Sequence, residues 1–353
     1  MSIVFPDGYV LDSIGPFYSN GHNNDAGMTA NILKNESNGV VDWILGETHF
    51  EKQNIIVDRG FQRVVDDLKV LGNVSVHMPS CDAKGNEQSS TSEANRSRLV
   101  TKVRWVVEAY HGRFKKWKFF ENRQPNSHVD SFKECLRILT AALNAFRPRI
   151  YDTSKDLEVH QLVARRMLEK SRITENLVEN IVFQGPLSNR GRLWDQFVND
   201  NAQEVELTTP NVIPHFPMLT LEFLRNNLTC GTYQIEQAAH YTDEHMGSHK
   251  GFAFSLHPRA TNLIRVRLQS RHKNATKYFV WVQFSLTEIT GWYCKCKCGR
   301  RVVGCCAHVA TIVWYLGYAR HHNYKPPSTI TNYWKKVIDS AEGYEDSGDE
   351  NED

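Results

Sequence analysis

Residues Trp292–Val309 read WYCKCKCGRRVVGCCAHV, and the reading of the C-terminal part turns on them. Five of the chain's eight cysteines fall in this stretch, and a histidine nearly closes it. Cys294-Lys-Cys296 is followed, after nine residues, by Cys306-Ala-His308. Zinc takes four soft or borderline donors in a tetrahedron, with Zn–S about 2.3 Å and Zn–N about 2.0–2.1 Å. Two short pairs on tight turns, joined by a loop that lets them face one another, supply such a set. All four donors come from protein and no position stays open for water. The spacing therefore predicts a structural zinc held by Cys294, Cys296, Cys306 and His308. Reduced thiols that merely pack would not produce Cys-x-Cys beside Cys-x-His. Cys298 and Cys305 are surplus. Cys298 would pair with Cys296 at the same spacing but leave Cys294 idle, and Cys305 lacks the one-residue offset from His308.

The flanking residues agree. Ile264–Leu268 alternates and Tyr278–Phe284 is rich in β-branched and aromatic residues, so both are predicted strands, with a polar turn at His272–Ala275 between them. After His308, Val309, Ile312, Val313 and Leu316 recur at helical spacing. Two strands, a knuckle and a helix make a unit too small to bury a core alone, so its folding energy should come largely from the metal. Over roughly residues 262–320 the pattern resembles the SWIM zinc finger, whose motif is C-x-C, a variable loop, then C-x-H. That resemblance implies binding to DNA or to a protein partner.

The formal net charge of +2 hides an asymmetry. Residues 341–353 hold seven acids and no Lys or Arg, which leaves 42 basic against 33 acidic residues, net +9, in the rest. A basic body with an acidic tail suits a polyanion binder, and such a tail also serves as a plain solubilising segment. No apolar run approaches the roughly 18 residues of a membrane span and the N-terminus carries no signal sequence, so no membrane partner is expected. Clustered cysteines then point to metal before disulfides and to the cell interior. The nucleus is favoured over the cytoplasm through the family resemblances.

Along the chain, Ile3–Phe5, the turn Pro6-Asp7-Gly8 and Tyr9–Phe17 read as a hairpin. Asn24 or Asp25 is placed to cap a helix through Leu33. Ile55–Val57 is a short apolar strand ending on Asp58, a position where α/β folds present functional carboxylates and where turns also use aspartate as a cap. The segment from Arg96 to Lys118 is the most basic, with Arg104, Arg113, Lys115, Lys116 and Lys118 set against the single acid Glu108. Leu99, Val103, Val106, Tyr110, Phe114 and Trp117 step by three and four, which predicts an amphipathic helix, with Gly112 a weak point inside it. Glu108 projects among the bases, as a solvated acid paired with Arg104 or as a metal carboxylate. A second such helix carries Val129, Phe132, Leu136, Leu139, Leu143 and Phe146, and stops before Pro148.

Asp58-Arg-Gly-Phe, Asn95-Arg-Ser-Arg98 and Val107-Glu108-Ala-Tyr-His-Gly112-Arg-Phe-Lys115 together resemble the latter part of a DDE-type transposase core of the Harbinger kind. The resemblance covers about residues 1–147 and implies an RNase H-like fold. In such enzymes three carboxylates hold two divalent ions that act on a phosphodiester. It implies Asp58 as the second carboxylate and Glu108 as the third. The first lies on the strand before the hairpin with which this sequence opens, and Asp7 and Asp12 sit on the wrong strands to replace it. The expectation is a non-catalytic remnant, or a nuclease with Mg or Mn if an upstream segment or a partner chain supplies the missing acid.

Residues 151–260 are less informative. Thr153 or Ser154 caps a helix to about Lys170, more helix follows to Val182, Thr220 caps Leu221–Asn226, and Tyr233–Tyr241 forms another. His240, His245 and His249 are too loosely spaced for a second metal. No internal repeat, Gly-rich phosphate loop or Ser/His/Asp set stands out. The expected architecture is α/β over 1–150, a mostly helical connector over 151–260, a small α+β zinc-binding module over 261–325 and an acidic tail over 326–353. Arg300 and Arg301 on the zinc loop join the basic helix as expected nucleic-acid contacts. The expected function is a zinc-binding protein of transposon descent that engages DNA, protein or both.

Overall fold

A computed structural model describes residues 1–17, 24–34, 53–70, 74–80, 88–122, 125–150, 157–184, 213, 215–246, 253–257, 260–270 and 276–322. The acidic tail, His249, Thr153, Ser154 and the turn His272–Ala275 lie outside the described residues. The chain divides into two compact units. Met1–Cys81 and Val100–Lys155 form the first, and Asp82–Leu99 and Asp156–Val337 the second. Among the described residues no helix is long and apolar enough to cross a membrane.

In the first unit β1 (Ser2–Val4) and β2 (Val10–Ser13) make an antiparallel hairpin, its second strand shorter than expected. Helix α1 (Asp25–Lys34) follows, and the Asn24 side chain accepts the Gly27 N–H at 2.8 Å. Strands β3 (Gln53–Ile56) and β4 (Val74–His77) pair in parallel, joined through a 3-10 turn and α2 (Val65–Val70). The long helix α3 (Thr91–Lys115), whose residues up to Leu99 belong to the second unit, opens on a capping box that sequence reading passed over. Glu93 accepts the Ser90 N–H at 3.0 Å and Ser90 Oγ accepts the Glu93 N–H at 3.3 Å. The short α4 (Lys118–Glu121) and α5 (Val129–Phe146) complete the unit.

Its core joins Val10, Trp105, Val106, Ala109, Tyr110, Leu139, Leu143 and Ile150. Two members of the expected stripes face solvent instead: Trp117 is 50% exposed and Phe146 85%. Helix α3 ends at Lys115, so the helical phase that would have buried Trp117 stops two residues short of it. A polar triad is enclosed, with the Tyr110 hydroxyl 2.9 Å from Ser13 Oγ and 3.2 Å from Thr140 Oγ1. Asn144 fastens α5 to β2, accepting the Val10 N–H at 3.0 Å and donating to its carbonyl at 2.8 Å.

The second unit contains α6 (Leu157–Ser171), α7 (Leu177–Glu179), α8 (Leu221–Phe223) and α9 (Tyr233–Met246). Asn176 and Thr220 cap α7 and α8 through their side chains. Four antiparallel strands follow in sequential order, β5 (Ala253–His257), β6 (Ala260–Gln269), β7 (Lys277–Phe284) and β8 (Ile289–Cys294). Last comes α10 (Ala307–Gly317), all of whose residues are buried. Sequence reading found β6 and β7 but neither outer strand.

The expectation of an under-sized module does not hold. Phe216, Leu224, Leu228, Ala238 and Tyr241, all from the supposed connector, share one core with β6, β7, β8 and α10. Local periodicity cannot reveal that packing, because each helix reads the same whatever it packs against.

The Asn144 clasp sets one test. Asn144→Ala leaves both Val10 backbone groups without this partner and is expected to cost about 1–3 kcal/mol in urea denaturation. An unchanged midpoint would show that water replaces the clasp.

Candidate functional site

Two places gather chemistry-bearing side chains, one in each unit. In the second unit, ligand atoms of Cys294, Cys296, Cys306 and His308 all lie within 4.8 Å of one another, and all four residues are buried. Strand β8 delivers Cys294 at its last position, and the tight turn after it brings back Cys296. That turn is closed by the Cys294 N–H to Gly299 carbonyl bond at 3.1 Å and the Gly299 N–H to Cys296 carbonyl bond at 2.9 Å. Gly299 is obligatory there, since a Cβ on it would overlap the Cys294 carbonyl. Gly304, at φ +65°, turns the loop back toward the second pair, and a Cβ there would press the Thr229 carbonyl at 2.8 Å. Cys306 is the N-cap of α10 and His308 lies in its first turn.

The electrostatics follow from burial. Burial pushes the Cys294 thiol well up, and hydrogen bonding to Cys294, Cys298 and Cys306 does the same for Cys296. Burial also opposes ionisation of Cys306, but hydrogen bonds with Cys294, Cys296 and His308 outweigh it and hold that thiol well below the usual range. A helix N-terminus favours the same anion. His308 presents Nδ1 to Cys294 Sγ at 3.8 Å, and the Tyr241 and Tyr278 rings wall its imidazole. Among the described residues Nε2 is buried with no hydrogen-bond partner.

A tetrahedron with bonds of these lengths has edges of about 3.6–3.8 Å. The Cys294–His308 edge, at 3.8 Å, already has that length. Three sulfurs and one imidazole, closed off from solvent, fit a structural zinc. Surplus Cys305 is buried among Cys230, Arg98 and Arg301, outside the cluster.

Sequence reasoning missed what holds the knuckle. Gln88 Nε2 donates to the carbonyls of both Cys294 and Cys296, each at 2.6 Å, and Gln88 Oε1 accepts from the Tyr293 hydroxyl at 2.9 Å. Asn95 Oδ1 accepts the N–H groups of Val302 and Val303, and Asn176 Nδ2 donates to the carbonyls of Trp292 and Arg300. Two expected nucleic-acid contacts are corrected here. Arg301 is 3% exposed and donates to the Cys305 carbonyl, out of reach of any phosphate. Arg300 is tied to Glu179, with nitrogen–oxygen distances of 2.7–3.0 Å.

In the first unit, Val57 extends the parallel pair through its N–H to the His77 carbonyl, and Asp58 follows at the strand's end. Its Oδ1 accepts the Arg59 N–H at 2.7 Å, which makes it the cap of the 3-10 turn Arg59–Val64. Glu108 lies one helical turn after Arg104 on α3. Arg104 Nη1 reaches both carboxylates, at 3.3 Å to Asp58 Oδ2 and 3.0 Å to Glu108 Oε1. Two acids fifty residues apart in sequence thus meet on one guanidinium nitrogen.

Residues 1–144 match the DDE superfamily endonuclease family. No curated protein and no solved structure gives a match to the chain. The DDE match spans the unit in which Asp58 and Glu108 converge, and DDE endonucleases use divalent metals. The pair as arranged does not fit such an ion. Arg104 already supplies the positive charge between the two carboxylates, so a divalent cation would have to displace a guanidinium that is 12% exposed. Arg104 is therefore corrected as well: it serves the acids, not a phosphate. Arg113 donates to the Pro148 carbonyl at 2.7 Å, and burial and the neighbouring Arg147 lower its pKa. Lys115, Lys116 and Lys118 are exposed.

Two measurements bear on the acidic site. Arg104→Gln is expected to bind Mn²⁺ roughly tenfold tighter than wild type, about 1.4 kcal/mol, read from the spectrum of the bound ion. Equal affinity in the two proteins would mean that the guanidinium does not compete. Beside Glu108, burial lowers the pKa of His111 from 6.5, against the pull of that carboxylate. The unfolded chain then binds the extra proton, so stability should fall as pH drops below 6.5. His111→Gln should flatten that fall in thermal melts.

Proposed function

We propose that the chain is a non-catalytic nucleic-acid-binding protein of transposon descent, with a SWIM-type structural zinc at Cys294, Cys296, Cys306 and His308. The observation that carries the reading is the buried Cys3His cluster at the heart of the second unit. Bound zinc would supply a fixed cross-link between β8 and α10 and would set the course of the knuckle. The four ligands would hold it, with Gln88 and Asn176 fixing the backbone that presents two of them, Cys294 and Cys296. Nothing in such a closed site offers a position for substrate, so its contribution is shape.

Nucleic acid as the partner is supported by the DDE endonuclease match and by those of the expected contacts that remain exposed once Arg104, Arg300 and Arg301 are accounted for. These are Lys115, Lys116 and Lys118, with Arg113 and Arg147 close by. Contacts of this kind give salt-dependent, sequence-tolerant affinity. The nucleus is the compartment consistent with such a partner.

The family match favours a second reading, a metal-dependent DDE nuclease. It requires Arg104 to swing away and a further carboxylate from another segment or chain to join Asp58 and Glu108. Nicking of supercoiled plasmid in Mn²⁺, abolished by Asp58→Asn, would establish it.

Zinc content by mass spectrometry is expected to be one ion per chain in wild type and to fall in Cys306→Ser. Retention of the full content in that variant would remove Cys306 from the ligand set. Duplex DNA affinity should fall steeply with salt, and charge reversal at Lys115, Lys116 and Lys118 should reduce the log–log slope by roughly 2–3. Affinity flat with salt would overturn the nucleic-acid reading.

A further inference from the structure

Gly112–Phe120 reads GRFKKWKFF, four bases and no acid, and the tryptophan in its midst belongs to no core. Trp117 is 50% exposed while Lys115, Lys116 and Lys118 around it are exposed as well. An indole left half in water forgoes part of the largest burial gain available to a side chain. Such a placement asks for a ligand.

Backbone hydrogen bonds close the turn that carries it. The Trp117 N–H donates to the Phe114 carbonyl at 3.2 Å, and the Trp117 carbonyl accepts from Phe120 and Glu121 at 2.8 and 3.1 Å. Three residues before and three after, Phe114 and Phe120 pack ring on ring at 4.2 Å. Phe119 and Phe132 extend that cluster, each within 5.0–5.6 Å of a neighbouring ring. Four phenylalanines thus clamp the corner from within and spend its apolar surface, while the one tryptophan is turned out. Trp117 is extended, at φ −88° and ψ 114°, and makes no side-chain cap hydrogen bond to α4. Its backbone is held by hydrogen bonds on both sides, so a ligand would have the side chain alone left to order.

Charge decides the class of ligand. Arg113, one helical turn earlier, has its pKa lowered by burial and by Arg147, so two like charges crowd one spot and an anion there would relieve both. An exposed indole flanked in sequence by Lys115, Lys116 and Lys118, with Arg113 four residues before it, matches a base among its phosphates. Stacking on such a face requires an unpaired base, since bases within a duplex already stack on one another.

We propose that Trp117 is a stacking platform for an unpaired nucleobase, with Lys115, Lys116, Lys118 and Arg113 tracking the flanking phosphates of a single strand. This rests on the nucleic-acid reading and narrows it to single-stranded or locally opened substrate.

Labelled (dT)20 and a duplex of the same length, titrated against the full chain at fixed salt, test the proposal. Trp117→Ala should weaken (dT)20 binding by roughly tenfold and change duplex affinity less than about twofold, whereas Trp117→Phe keeps an aromatic face and should lose no more than about threefold. Unaltered melting of both variants excludes a folding effect. Trp117→Ala binding (dT)20 as well as wild type does would overturn the stacking platform while leaving the nucleic-acid reading intact. Failure of wild type to bind either probe would overturn both.

Discussion

Three thiols and an imidazole that lie within one ion's reach, and are shut away from water, set the terms for the second unit. Left to themselves such groups are in conflict. Burial keeps the Cys294 proton on, while its neighbours and the start of α10 pull the Cys306 proton off. A dication resolves the conflict by replacing every thiol proton at once. The surrounding structure is arranged as though for that outcome, with Gln88 gripping both carbonyls of the C-x-C turn and Asn95 and Asn176 holding the loop on either side. Side-chain amides suit the task because each offers a donor and an acceptor and neither changes with pH.

The acidic site of the first unit shows the opposite solution to crowded charge. There the two carboxylates share a guanidinium that the chain carries itself, which offsets one of their two charges. A tethered guanidinium has a high effective concentration next to its partners, so it competes with a free dication on favourable terms. A match to a family of metal-dependent endonucleases and a pair of acids already held by a guanidinium are compatible, since a fold does not dictate the chemistry placed on it.

Legibility in the sequence followed distance along the chain. The cap at Thr220, the strands β6 and β7, and the meeting of the C-x-C and C-x-H pairs are matters of a few residues, and their signals are correspondingly plain. Gln88 lies more than two hundred residues from the turn it supports, and nothing local marks it. The outer strand β8 runs through Gly291, a residue that weakens a strand signal in sequence and whose missing side chain makes room for Val178, so packing overrode pattern. Trp117 misled for a subtler reason: the three-and-four spacing is real, but it has meaning only while the helix lasts. The basic loop misled because a charge count cannot tell an arginine facing solvent from one, like Arg301, that holds a carbonyl inside.

Burial takes α10 out of contact with any partner. Zinc modules that read sequence commonly do so by laying the helix next to the metal into the major groove. Here that helix has its whole circumference engaged, and even Thr311 turns its hydroxyl back to the Ala307 carbonyl at 2.8 Å. It has no outward edge on which base-reading side chains could stand. Whatever the second unit touches, it touches with other surfaces than α10, such as strand margins, loops or the exposed side of α6.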